Sequence, residues 1–113
     1  MSSKGLNLYE GMYILSATLS EDALKKSLER ITQPIEKSGG EIHKVHDMGR
    51  RKLAYEIKGQ KQGHYFVLYF SASPSLIKEM WSEYHLNEDL IRHMTLRVEE
   101  VVEKIEFKPL VEA

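Results

Sequence analysis

Residues 65–70 read YFVLYF, six large apolar side chains in succession. Gly63 precedes the run and Ser73-Pro74 follows it, so a short, aromatic-rich segment is bounded by turn residues, the signature of a strand. In a strand Tyr65, Val67 and Tyr69 point one way, and Phe66, Leu68 and Phe70 point the other. The chain therefore has to supply cover for two apolar rows, and a layer of helices on one side of a sheet covers only one.

The neighbouring segments say what kind of sheet this is. Residues 8–15, LYEGMYIL, read as a first strand. Ser20 followed by Glu21 and Asp22 is an N-cap with acids suited to a helix start. Leu24, Leu28, Ile31 and Ile35 then form one stripe of an amphipathic helix, with Pro34 expected to bend its last turn and Gly39-Gly40 to end it. Residues 41–57 read as a long strand in which Leu53, Tyr55 and Ile57 alternate, but Ile42 and Val45 are out of phase with each other and Gly49 interrupts, so a bulge or bend is expected there. KGQKQG (58–63) reads as a hairpin loop. Ser73-Pro74 opens a second helix with the stripe Leu76, Ile77, Met80, Trp81 and Tyr84. A last strand runs from about Leu90 to Val98, and EKIEFKPLVEA (103–113) is expected to be partly mobile.

The order is βαββαβ. Right-handed crossovers put both helices on one face of a four-stranded antiparallel sheet, the α+β ferredoxin-like (split βαβ) arrangement. The chain divides into a flexible N-terminus (1–7), the folded domain (8–98) and a strand end with tail (99–113). One row of the third strand is left on the open face, where a partner, a second copy or a folded-back tail would cover it. The octamer QGHYFVLY (62–69) partly matches the ring-stacking strand of RNA-recognition motifs, with Gly63, Phe66, Val67 and Tyr69 in place. That comparison assigns His64, Phe66, Leu68 and Phe70 to the open, partner-binding face and leaves the Val67 row under the helices.

Composition narrows the function classes. At 113 residues there is room for one core, and the absence of cysteine excludes disulfides and thiolate chemistry. No secretory h-region or membrane-length apolar run is present. The formal charge is −1, yet residues 41–65 hold six cations against three acids, Glu41, Asp47 and Glu56. Arg50, Arg51 and Lys52 stand together there, and a local patch of this kind can bind phosphate whatever the total charge. Arg92 and Arg97 add cations on the last strand and, five apart, face opposite sides. His43 and His46, three apart, aim at opposite faces of a regular strand, and His85 and His93 have no evident partner by spacing. No metal spacing, phosphate loop or activated nucleophile is present, so no enzyme, metal or cofactor is expected.

GGEIHKVHDMGRRKLAYEI, GHYFVLYF and LNEDLIRHMTLR, with Tyr9-Glu10 in the first strand, resemble the family of the sixth protein of the bacterial small ribosomal subunit. The resemblance covers about residues 8–98. It implies a non-enzymatic, cytoplasmic ribosomal protein that binds small-subunit ribosomal RNA together with the eighteenth small-subunit protein during platform assembly, with no role on DNA or membranes. It places Arg50, Arg51, Lys52, Arg92 and Arg97 among the RNA-binding residues. The chain departs from the family pattern at Asn7-Leu8, where basic residues are usual, and at Glu56, where proline is common. Gly11 replaces a branched apolar residue, which is expected to thin the core, and the tail lacks a long acidic extension. A dimeric ferredoxin-like regulatory or small-molecule-binding protein is the alternative, and light scattering separates it by the mass of the isolated protein.

Overall fold

The computed structural model describes residues 5–102, so the expected mobility of residues 103–113, and of the first four residues, lies outside the described residues. Its elements are β1 (Asn7–Ser16), α1 (Glu21–Lys37), β2 (Glu41–Ile57), β3 (Gln60–Ala72), α2 (Pro74–Leu86) and β4 (Leu90–Arg97). The four strands form one antiparallel sheet in the order β2-β3-β1-β4, the ferredoxin-like topology. Ser20 and Ser73 cap the helices, their hydroxyls accepting from the Ala23 and Leu76 N–H groups, and Pro74 sits at the start of α2.

The β2–β3 connection is tighter than a loop over 58–63. Ile57 pairs with Gln60 around a two-residue turn, Lys58-Gly59, in which both residues have positive φ (49° and 78°). That is the type I′ geometry, whose twist matches a right-handed hairpin and whose second position suits glycine.

Both rows of β3 are buried, but the faces are the reverse of the sequence expectation. Phe66, Leu68 and Phe70 join Tyr9, Tyr13 and Leu15 of β1 against Ile31 and Ile35 of α1 and Leu76, Met80 and Tyr84 of α2. His64 lies on the same side, stacked on Phe66 at 4.7 Å. The assignment of His64, Phe66, Leu68 and Phe70 to the open face is therefore corrected. Alternation fixes which residues share a face but not which face meets the helices, and on β3 the two rows are almost equally apolar. The choice follows from β1, where the row opposite Phe66 and Phe70 contains Tyr13 and Tyr9 while the row opposite Tyr69 contains Glu10.

The second row is covered from two directions. The β2–β3 register jumps from Lys52↔Gln62 to Ile57↔Gln60, leaving residues 53–56 without partners on β3. The bulged end of β2 bends, and Leu53 packs with Ile14, Tyr65 and Ile91, with Met12, Met48 and Ile57 around them. Tyr55, expected to share a row with Leu53, is exposed instead.

At the other end, Val98 N–H bonds to the Leu8 carbonyl, prolonging the pairing at the β4 edge. By residue 102 the chain has crossed the sheet, and the Val102 carbonyl lies 2.9 Å from His46 Nε2 on β2. The His46 ring packs edge-on to Tyr69, whose hydroxyl donates to the Glu10 carboxylate. Residues 98–102 are thus a strap over the face that the helices leave open.

Two smaller expectations change with this geometry. A register shift between Ile42 and Lys44 brings His43 Nε2 to 2.7 Å from the Ser71 hydroxyl, so His43 and His46 both serve the strapped face. The core is not thin at Gly11 either. The Tyr13 ring lies over that glycine and fills the space of a side chain, so a Cβ there would meet Tyr13 Oη at 2.6 Å.

Candidate nucleic-acid interface

The basic segment of β2 occupies an edge strand, so its backbone is flanked by a neighbour on one side only. Arg50, Arg51 and Lys52 pair with His64, Gly63 and Gln62, at the end of the sheet where β1 finishes and β4 begins. All three side chains are exposed. Arg50 and Arg51, as neighbours on a strand, project to opposite faces. Arg51 Nε donates to the Met48 carbonyl at 3.0 Å across the Gly49 irregularity, which holds the guanidinium against the bulge. Nearby, Asp47 is engaged by His64, with Nε2 to Oδ1 at 2.6 Å, and it also accepts from the Gly49 N–H. The carboxylate closest in sequence to the cluster is thus committed to its own local bonds.

Arg92 stands on the opposite edge. The row Gly49, Tyr65, Ile14, Arg92 runs straight across the four strands, which sets Arg92 about 14 Å from β2 at ordinary strand spacing. Its charge is felt by Tyr65, whose hydroxyl is pushed up by burial and drawn back partly by the guanidinium. Arg97 is not part of this group. It pairs with Tyr9 at the other end of β4, on the helix-side row, and borders a hollow with Leu6, Asn7, Leu8, Val98 and Glu99. The structure therefore brings Arg50, Arg51, Lys52 and Arg92 to one end of the sheet and separates Arg97 from them by about five strand residues, roughly 17 Å.

Sequence reading missed three residues at this end. The coiled tip of the hairpin carries Lys58 across to the β4 edge, where it borders the same hollow as His85, Arg92 and His93. The His93 ring packs on Tyr84 at 4.7 Å and lies 6.1 Å from Trp81 and 6.3 Å from His85. Its pKa is lowered from the ordinary imidazole value, first by burial and then by the nearby His85 and Lys58 charges. Histidine spacing carries no signal for this meeting. Only the cation Lys58 beside a Gly hinted that the loop, rather than the strands, would deliver charge. Among the described residues, no group of three or more His, Asp or Glu is arranged to hold a metal ion. No helix among them is long and apolar enough to cross a membrane.

With this geometry in view, the family model for ribosomal protein S6 matches residues 8–97. The chain is 61% identical over 110 residues to the small ribosomal subunit protein bS6 of Protochlamydia amoebophila, covering 97% of this chain and 96% of the relative. It is 54% identical over 112 residues to the bS6 protein of Chlamydia pneumoniae, covering 99% and 100%. Among solved structures, 30S ribosomal protein S6 from Thermotoga maritima superimposes with a TM-score of 0.77 at 35% identity, over 82% of this chain and 88% of that one. The C-terminal domain of the MgtC protein from Mycobacterium tuberculosis, at 12% identity and a TM-score of 0.59, shares the fold alone.

Proposed function

The chain belongs to the ribosomal protein S6 family, structural proteins of the small ribosomal subunit and not enzymes, and from that premise we propose how it works there. It binds small-subunit ribosomal RNA together with the eighteenth small-subunit protein during assembly of the platform, in the cytoplasm. The observation that carries the RNA reading is the exposed Arg50-Arg51-Lys52 cluster on an edge strand, at the same sheet end as Arg92. Arginine forks suit phosphate oxygens, and two edges of one sheet end offer cations at a spacing a folded backbone can bridge.

A protein partner has a different surface from the one expected on β3. Met94 and Leu96, 42% and 50% exposed, project from β4 beside Met12 and Glu10 on the face away from the helices. Tyr65, Val67 and Tyr69 are already buried, Tyr65 against Leu53 of the bent β2 and Tyr69 beside the His46 ring that meets the strap, so on this face the exposed apolar side chains of the sheet lie at the β4 edge.

The test replaces Arg50, Arg51 and Lys52 with Ala together. Surface changes of this type each alter stability by no more than about 0.5 kcal/mol, so the fold is retained. Binding to small-subunit ribosomal RNA, with the partner protein present, falls and loses part of its salt dependence as fewer phosphates are neutralised. An unchanged affinity and salt slope would overturn the reading.

A further inference from the structure

The hollow at the β4 edge is not explained by the β2 cations. It has a volume of about 400 Å³ and is lined by Lys58, Tyr84, His85, Leu90, Ile91, Arg92 and His93. Every charged or titratable side chain in that lining other than the tyrosine is basic, and no carboxylate borders it. Two permanent cations come from different elements, Lys58 from the hairpin turn and Arg92 from β4, and two imidazoles, on α2 and β4, share the lining. His93 Nδ1 is buried and has no hydrogen-bond partner among the described residues. A lining of cations and imidazoles with no carboxylate favours an anionic ligand.

We propose that this hollow is a phosphate-binding site, in which Lys58 and Arg92 supply the charge and His93 takes up a proton as the phosphate group enters. Arg92 offers a planar fork to two oxygens, and Lys58 acts as a point charge with rotatable donors. The volume lies in the range of small-ligand pockets, about 300–1,000 Å³, so the phosphate can be borne on a larger molecule. A phosphate on an RNA strand and a free phosphate share this chemistry.

The proton linkage follows from what surrounds His93. Tyr84 and His85 face it from α2, Lys58 from the hairpin, Arg92 stands beside it on its own strand, and Tyr13 is its neighbour on β1. None of these is an anion at neutral pH, so the empty hollow keeps the ring neutral, and its pKa is held down by burial and by the neighbouring charges. An entering anion reverses that balance. Proton uptake and anion binding then strengthen each other, and affinity rises as pH falls.

Trp81 is the sole tryptophan, 6.1 Å from the His93 ring, so its fluorescence reports on the site. The probe is sulfate, whose charge stays constant across the range in which histidine titrates, with chloride as the ionic-strength control. Sulfate should saturate the fluorescence response and bind at least about tenfold more tightly near pH 5.5 than near pH 8. Lys58→Asn combined with Arg92→Gln should weaken it at least about tenfold. Asn-Gly is the favoured pair for the turn at 58–59, so the hairpin is kept. His93→Gln should flatten the pH dependence. A response that never saturates, or one unchanged in the double variant, would overturn the site.

A short oligoribonucleotide that competes with sulfate identifies RNA phosphate as the source, and inorganic phosphate competing alone identifies the free ion. The Arg50/Arg51/Lys52→Ala variant should bind sulfate as the parent does, so the site stands or falls separately from the RNA reading of β2.

Discussion

The hydroxyls of Tyr13 and Tyr84 lie 2.8 Å apart in the buried layer between sheet and helices, one carried by β1 and the other by α2. Their rings meet edge to face at 5.5 Å. Burial pushes the Tyr13 phenol up to about 12 and raises Tyr84 as well, so both stay protonated and act as neutral partners. A polar pair in an apolar layer is costly to break from one side.

Tyr84→Phe should therefore destabilise the fold by about 1–3 kcal/mol, because Tyr13 Oη loses a buried partner. Tyr13→Phe should cost a similar amount. The double variant should lose less than the sum, and a denaturant-unfolding cycle over the four proteins measures the difference. Additive losses would mean that the two hydroxyls do not depend on each other.

Phe66→Ser and Val67→Ser both strike buried rows, one under the helices and the other on the opposite face of the sheet. Truncating a core Phe costs about 3–5 kcal/mol, so Phe66→Ser should be the more severe and should lower the unfolding midpoint further. Val67→Ser should be milder. Equilibrium melts settle the order, and a Phe66→Ser protein of parental stability would contradict the face assignment.

Gly11→Ala should destabilise although it adds only a methyl group. The new Cβ would sit 2.6–2.9 Å from the Tyr13 ring, which cannot swing away without leaving Tyr84. Overpacking of this kind costs about 1–3 kcal/mol. Thermal or denaturant melts of the variant read it directly, and a gain in stability would show that the ring is free to move.

His93 gives the fold an acid-side weakness in buffers free of oxyanions. Its folded pKa lies below the ordinary 6.5. The unfolded chain therefore binds the proton first as pH falls, and stability is complete above about pH 6.5 and lost as pH drops toward the folded value. His93→Gln should remove that part of the pH dependence. Denaturant midpoints measured across the range would test it, with an identical pH profile in the variant as the contrary result.

The order of elements was legible because each local signal is short-range. The Ser20 and Ser73 caps, the Pro74 start, the Leu24-to-Ile35 stripe and the unbroken YFVLYF run depend on neighbours within a turn or a strand. The basic segment at Arg50 to Lys52 was legible for the same reason, since charge clustering on one strand needs no tertiary knowledge.

What the sequence alone determined is thus the βαββαβ order, the pairing of side chains into rows and the local excess of cations on β2. Which row meets the helices was decided by tertiary structure, because an alternating strand is symmetric about its own plane and only its neighbour's row breaks the tie. The same holds for the strap from Val98 to Val102, and for Tyr13 filling the place above Gly11. The meeting of Lys58 with Arg92 and His93 was decided there too. Residues 53–56 lie outside the β2–β3 ladder, and the resulting bend carries the hairpin tip across the sheet end to β4. Twist, bulge and crossover act on the whole sheet at once, so residues 34 positions apart in sequence, such as Lys58 and Arg92, come to share one hollow with no local pattern to announce it.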